Sequence, residues 1–323
     1  MHRRDFLRQL TLGAAGCLLA GTPFRLLAEG AVVESVPVER VYVSLGTLVR
    51  FQVYHEEPRE ALQAIRKAAA CIQKIHDRMS VQEPASTLSR WNDSRTGREV
   101  VLDELTAEAV EEALRAFRLT EGRFDPTVGA AVKSYQAGKT PPVQQERLGE
   151  WLPHERQLLK PHPGVALDLG GSAKGWAVDR AMEILIAAGC RAALVNAGGD
   201  LRVFGAPPGE EAWTIGIRDP RRPDEVLRRL ALRDAAVATS GDYETEGSAT
   251  LVDPRDFSRI RLHGSVSVVA SSCGLADALS TALCVEPDLR LLPEQTGGLI
   301  ARRAGEQFVI QEHLQFPLNQ VGG

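Results

Sequence analysis

Two groups of residues in this 323-residue chain have the types and spacing to do chemistry together. The first is the run Val165-Ala166-Leu167-Asp168-Leu169-Gly170-Gly171-Ser172-Ala173-Lys174-Gly175, in which an apolar stretch meets paired glycines and then a helix start. Small residues at such a turn let backbone N–H groups approach an anionic ligand at the helix N-terminus. Lys174 adds positive charge there, in a chain with six lysines against 32 arginines. The run fits neither the GxGxxG nor the Walker A pattern, so it points to neither a dinucleotide fold nor a P-loop. A tight strand–helix turn with a solvated lysine uses the same residues. The second group is Asp277 and Thr281, four apart on a helical stretch, so both oxygens face one way. Hard oxygen ligands suit Mg²⁺. A plain Asp–Thr hydrogen bond on an ordinary helix would use the same spacing.

Positioning these groups requires a scaffold, and the apolar pattern outlines one. Residues 40–55 alternate apolar and polar, which predicts a strand or hairpin. Leu62, Ile65, Ala69, Ile72, Ile75 and Met79 recur at three or four and predict one face of a helix over 58–79. A second helix is expected over 106–120, with Val110, Leu114 and Phe117 inward and Thr106 as its N-cap. Residues 137–163, rich in Pro, Gln and charge, read as a loop or peripheral excursion. Strand, glycine turn and helix follow over 165–188. Short strands are expected at 192–196, 201–204, 212–218, 235–239 and 265–270, then a helix over 274–284. A closing hairpin pairs 299–303 with 307–311 and turns at Ala304 and Gly305. Strands in meanders and helices in separate blocks predict an α+β fold, not a doubly wound parallel sheet.

Composition removes several functions. Apolar residues are 44% and charged residues 25%, ordinary globular values that exclude a disordered chain. A net charge of -4 gives no electrostatic reason for nucleic-acid binding, and 5% aromatics offer few bases a stacking platform. No apolar run reaches the length of a transmembrane span.

The N-terminus reads as an address. Arg3 and Arg4 precede an apolar stretch over 10–21 and small residues ending at Ala28, the layout of an export signal over residues 1–28. The paired arginines before Phe6 and Leu7 resemble a twin-arginine signal, which predicts a periplasmic protein. A lipid anchor on Cys17 ranks second, because Ala14 and not Leu stands three residues before it. Cys71, Cys190, Cys273 and Cys284 form no CxxC and have no His at ligand spacing, so zinc and Fe–S readings fail and buried thiols are expected.

Further blocks follow in order. They are Phe124-Asp125-Pro126-Thr127-Val128-Gly129, Leu194-Val195-Asn196-Ala197-Gly198-Gly199-Asp200, Trp213-Thr214-Ile215-Gly216-Ile217, Ala238-Thr239-Ser240-Gly241-Asp242-Tyr243-Glu244, Val252-Asp253-Pro254-Arg255 and 275–283. Together with the glycine turn, this ordered set resembles the ApbE family of FAD:protein FMN transferases over residues 38–313. The resemblance implies a two-lobed α+β fold with antiparallel sheets and a central FAD cleft. It implies a divalent cation, usually Mg²⁺, held by Asp277, Thr281 and the Gly171 carbonyl. It implies FAD contacts at Leu45, Gln82, Phe124, Asp125, Asp168, Lys174 and Leu251. The reaction it implies moves FMN from FAD onto a Thr or Ser hydroxyl of a target flavoprotein and releases AMP. For an exported member, an electron-transfer subunit is the expected target.

Three positions depart from the family pattern. Leu45 replaces Met in Met-Gly-Thr and keeps an apolar contact. Gln82 stands where Tyr is common and cannot stack on a flavin. Thr250 stands where the family has the His before x-x-Asp-Pro-Arg, a candidate to take the proton from the incoming hydroxyl. Thr250 cannot act as a base near pH 7. No catalytic base is therefore assigned, although His263 lies ten residues past Asp253. Three outcomes stay open: transfer with another base or little base help, FAD binding without transfer, and hydrolysis of FAD to FMN and AMP.

Overall fold

The computed structural model describes residues 17–19, 36–97, 99–141, 156–162, 164–241 and 250–313. The alternating 40–55 stretch forms a hairpin, β2 (Val38–Ser44) and β3 (Thr47–Tyr54). Leu45 and Gly46 make its two-residue turn with φ of +54° and +71°. Positive φ at both positions matches the twist of paired strands, and holding a leucine there costs about 1 kcal/mol.

α1 (Pro58–Met79) follows, with Pro58 at the first turn, where its missing N–H is no loss. Ile65, Ile72 and Ile75 are fully buried, each contributing about 2 kcal/mol. Then come α2 (Thr87–Asn92), β4 (Glu99–Val101), α3 (Glu104–Leu119), α4 (Gly129–Gln136) and β5 (Gln157–Leu159). The C-terminal half contains α5 (Ala173–Ala187), β6 (Ala192–Ala197), β7 (Asp200–Phe204), β8 (Trp213–Asp219), β9 (Arg222–Leu232), β10 (Ala235–Gly241), β11 (Gly264–Ala270) and α6 (Cys273–Val285). A 3₁₀ turn (Leu289–Leu291) leads to β12 (Gly297–Ala304) and β13 (Gln307–His313).

Eight strands form one antiparallel sheet in the order β13-β12-β11-β10-β7-β6-β3-β2. α1, α5 and α6 cover one face, and β8 with β9 cover the other. β6 shows the consequence. Ala193, Val195 and Ala197 enter the helix-side core, while Ala192 and Leu194 enter the core under β8 and β9. Alternate residues of a strand face opposite sides, so a strand covered on both sides reads as a continuous apolar run. The α+β expectation holds.

Several local expectations are corrected. The N-cap of α3 is Asp103, whose carboxylate accepts from Thr106 N and Oγ1 at 3.2 and 2.8 Å; Thr106 lies inside the helix. Residues 165–169 are extended but form no ladder, only a parallel bridge between Val128 and Ala166. The 137–163 segment holds β5, paired with β4. β9 was not anticipated, because it is mostly exposed and charged and buries chiefly its last residues. The last hairpin pairs Ala304 with Gln307, so its turn residues are Gly305 and Glu306. Of the segment read as an export signal, only residues 17–19 are described; they form β1 (Cys17–Leu19), paired with β8. The rest of that segment and its cleavage region lie outside the described residues. Among the described residues no helix is long and apolar enough to cross a membrane. Cys190, Cys273 and Cys284 are buried free thiols, as expected, while Cys71 is a free thiol that is only partly buried.

Candidate active site

The site forms where the glycine turn and the start of α5 meet the first turns of α6, the start of β7 and the end of β10. Backbone clamps shape the glycine turn. The Asn92 side chain grips Leu167, accepting from its N–H at 2.7 Å and donating to its carbonyl at 2.8 Å. Gly129 N donates to Ala166 O at 3.0 Å and Asp168 N donates to Pro126 O at 2.8 Å. The blocks around residues 125 and 167 are therefore one surface. Phe124 is 2% exposed, with its ring edge behind Gly171. Asp125 is buried and builds its own turn, accepting from Thr127 N and Oγ1 at 2.8 and 2.7 Å. Asp168 Oδ1 accepts from Gly170 N at 2.8 Å; burial raises its pKa and that N–H opposes the rise.

α5 begins just past this turn and crosses the start of α6 backbone to backbone. A Cβ on Gly175 would sit 2.2 Å from Cys273 O, so only glycine permits the crossing. Gly175 N can then donate to Asp277 Oδ2 at 3.1 Å. One turn further along α6, Thr281 Oγ1 donates to Gly171 O at 3.3 Å. The alternative reading, an Asp277–Thr281 hydrogen bond, is not the contact these two side chains make: each bonds the α5 side of the site. Ser240 Oγ reaches Ser280 Oγ at 2.7 Å and Thr281 Oγ1 at 3.4 Å, which adds a hydroxyl from the end of β10.

Lys174 faces two buried acids. Its Nζ contacts Asp200 Oδ2 and lies 3.8 Å from Asp277 Oδ2. Burial works against the ammonium, but the two carboxylates outweigh it and hold the Lys174 pKa above its ordinary value. Asp277 is 2% exposed. Burial and the neighbouring Asp200 push its carboxyl up to about 7, with Lys174 pulling the other way.

The remaining expected residues sit as follows. Leu45 is partly buried against the helix-side core. Its turn stacks on the β6–β7 turn, since Gly198 N donates to Leu48 O at 3.2 Å and a Cβ on Gly198 would strike Thr47. Gln82 is exposed in a turn after α1. Leu251 packs beside the α6 core, and its carbonyl accepts from Ile260 N at 2.9 Å. Arg255 binds Asp253 and reaches Glu286, which also binds Arg123 at 3.0 Å, so the Asp-Pro-Arg block is tied to the end of α6 and to the Phe124 turn. Thr250 is half-buried. His263 is exposed on the turn before β11, with φ of +51°.

Two hard oxygens from different elements meet directly, the Gly171 carbonyl and the Thr281 hydroxyl, and the Asp277 carboxylate lies one turn earlier on the helix that carries Thr281. Two adjacent ligands of one Mg²⁺ stand about 3 Å apart, close to the 3.3 Å between Thr281 Oγ1 and Gly171 O. The donor set fits a hard divalent cation. Among the described residues no group of three His, Cys, Asp or Glu side chains does so. A cavity of about 420 Å³ between α3, α5 and the start of α6 is lined by Trp176, Arg180 and Arg202, and by none of Asp168, Lys174, Asp277 or Thr281. The sequence alone assigned no role to Asn92, Ser240 or Asp200, which the structure ties to Leu167, Thr281 and Lys174.

The class these features define is an α+β protein with a lysine-flanked, hard-oxygen site at a glycine turn, suited to a cation and a phosphate. The chain belongs to the ApbE family, whose profile matches residues 45–300. It is 32% identical over 319 residues to the FAD:protein FMN transferase of Rhodobacter capsulatus, covering 92% of this chain and 60% of that one. It is 30% identical over 277 residues to the FAD:protein FMN transferase of Vibrio cholerae, covering 77% of this chain and 82% of that one. The solved flavin transferase ApbE from Vibrio cholerae superposes with a TM-score of 0.72 at 26% identity, over 87% of this chain and 98% of the other. The ApbE protein of Thermotoga maritima gives 0.72 at 29% identity, over 86% and 97%.

Proposed function

We infer that the chain is an FAD:protein FMN transferase. A Thr or Ser hydroxyl of a target flavoprotein attacks the FMN-side phosphorus of FAD. The new bond is P–O from the target oxygen, the bond broken is the P–O–P bridge, AMP leaves with the bridging oxygen, and the hydroxyl proton passes to solvent. The observation that carries the reading is the meeting of Gly171 and Thr281, 110 residues apart, at 3.3 Å, beside Asp277 and Lys174.

Gly171, Asp277 and Thr281 would hold Mg²⁺. The cation would offset charge on the phosphate oxygens, the main need of a loose phosphoryl transition state. Lys174 places an ammonium beside the same oxygens. The glycine turn leaves backbone room for the diphosphate, and Asp168, Asp125 and Phe124 shape its wall. Leu45, Gln82 and Leu251 would border the flavin or the adenine. With Thr250 in the family His position, these residues supply positioning and charge more than proton removal. Export by the twin-arginine route would put the enzyme in the periplasm, with an electron-transfer flavoprotein as target; the arginine pair and the apolar stretch after it support this.

The test is incubation of purified protein with FAD, Mg²⁺ and a target bearing the acceptor Thr. Flavin fluorescence on the denatured target together with released AMP supports transfer. FAD bound with no AMP released would make the protein a carrier. AMP and free FMN without labelled target would make it a pyrophosphatase. Asp277→Ala should abolish metal-dependent AMP release, and unchanged turnover would remove Asp277 from the site. Export is checked by periplasmic fractionation, where purely cytosolic protein would count against it.

A further inference from the structure

Asp200 is 1% exposed and has no solvent to stabilise its charge. It opens β7 directly after the Gly198 and Gly199 turn. Its Oδ1 accepts from Thr239 N of β10 at 3.3 Å, two residues beyond the last β7–β10 pair, Val237 with Leu201. The carboxylate therefore takes a backbone donor that the ladder leaves over, and this fixes it independently of any ligand. Its Oδ2 contacts Lys174 Nζ. The same Nζ lies 3.8 Å from Asp277 Oδ2, beyond the usual N–H···O range of up to about 3.2 Å.

The arrangement is lopsided in a useful way. Two buried carboxylates share one ammonium, and the ammonium is drawn to the one that is not a candidate cation ligand. A buried carboxylate without a partner is strongly disfavoured, so Asp200 holds Lys174 firmly. If Asp200 were neutral, Lys174 would swing to the nearest remaining anion, Asp277, and compete there with a cation.

We propose that Asp200 is a positioning residue, which holds Lys174 off Asp277 so that the Asp277 oxygens stay open to a divalent cation. Asp200 acts through Lys174, with Oδ2 against the ammonium and Oδ1 on Thr239 N. The inference rests on the cation reading of Asp277 and Thr281, and its test separates the two.

The probe is Mn²⁺ binding to the full chain without FAD, followed by electron paramagnetic resonance, so catalysis is not the readout. Wild type should bind Mn²⁺ and Asp277→Asn should lose it. Asp200→Asn should weaken binding at least tenfold. Asp200→Asn combined with Lys174→Met should return to within threefold of Lys174→Met alone, because no ammonium remains to compete. A merely structural Asp200 would weaken binding in both backgrounds. Asp200→Glu keeps the charge and pushes Nζ toward Asp277; it should give an intermediate loss and serves if Asp200→Asn does not fold. Unchanged Mn²⁺ affinity in Asp200→Asn, or a double variant as weak as Asp200→Asn, overturns the role of Asp200 while Asp277 stands. Wild-type affinity in Asp277→Asn overturns the cation reading and this inference with it.

Discussion

Asp179 of α5 caps Gly274 of α6: its two carboxylate oxygens accept from Cys273 N at 2.9 Å and from Gly274 N at 2.8 Å. Helix N-termini carry unpaired N–H groups and partial positive charge, so a carboxylate there is stabilising. Arg202 adds a hydrogen bond to the same group at 2.9 Å. Burial raises the Asp179 pKa, while Arg202 and the helix N–H groups oppose the rise. This contact fixes where α6 starts, and so where Asp277 and Thr281 project one and two turns later. Asp179→Ala would strand the buried Cys273 N–H and the partly buried Gly274 N–H and remove the Arg202 ion pair. We expect a loss of about 3 kcal/mol, measured as a lower urea midpoint with unchanged slope. A midpoint shift below about 0.5 kcal/mol would show that the cap is dispensable.

Asp277 makes the stability of the metal-free protein depend on pH in an unusual direction. Its folded-state carboxyl titrates at about 7, against 3.8 for an ordinary aspartate, because burial and Asp200 disfavour the charge. Between these values the folded state binds the proton and the unfolded state does not. The contribution of Asp277 to stability is therefore full at low pH and is lost as pH rises through about 7. Other groups titrate too, so the informative quantity is the difference between wild type and Asp277→Asn. In chelator-treated protein, Asp277→Asn should melt progressively higher than wild type from pH 5 to pH 8. Adding Mg²⁺ at pH 8 should raise the melting temperature of wild type and not that of the variant. A pH-independent difference would show that Asp277 is ionised throughout.

What could be read beforehand depended on whether a contact is local. The Leu45 and Gly46 hairpin, the 58–79 helix and the Asp277–Thr281 pair all follow from spacings of two, three or four residues. The Asn92 clamp on Leu167, the Asp200 contact with Lys174 and the Asp179 cap join residues 75, 26 and 95 apart, and no local periodicity marks them. Asp103 and Thr106 are both good capping residues three positions apart, so type alone could not choose between them. β9 carries Arg222, Asp224, Glu225, Arg228 and Arg229 on an edge of the small sheet, where charge discourages further strand pairing. That same charge hides the strand from a hydrophobicity reading.

Gln82 is exposed in the turn after α1, at the position where the sequence resemblance leads one to expect Tyr. An aromatic ring on a flavin contributes about 1 kcal/mol beyond area burial. Gln82→Tyr should therefore tighten FAD binding about fivefold, read by fluorescence quenching. Its melting temperature should stay close to that of wild type, because the position packs against nothing that an added ring would displace. Unchanged affinity would mean that residue 82 does not face the isoalloxazine.

Thr250 offers the sharpest test of how far the chemistry depends on proton removal. It is half-buried, one residue before Leu251, whose carbonyl is held by Ile260 N at 2.9 Å. The backbone at this position is thus set from the following residue, so a larger side chain here is expected to leave the path of the chain unchanged. A positioned general base contributes about 10²–10⁴-fold when the proton is in flight at the transition state. Thr250→His should raise single-turnover transfer to the target by at least about tenfold. The gain should grow as pH rises through the ordinary imidazole range near 6.5, because only the neutral ring accepts a proton. FAD binding and Mn²⁺ affinity should not move. A variant with wild-type rate at every pH would show that positioning and charge carry the reaction here without help from residue 250.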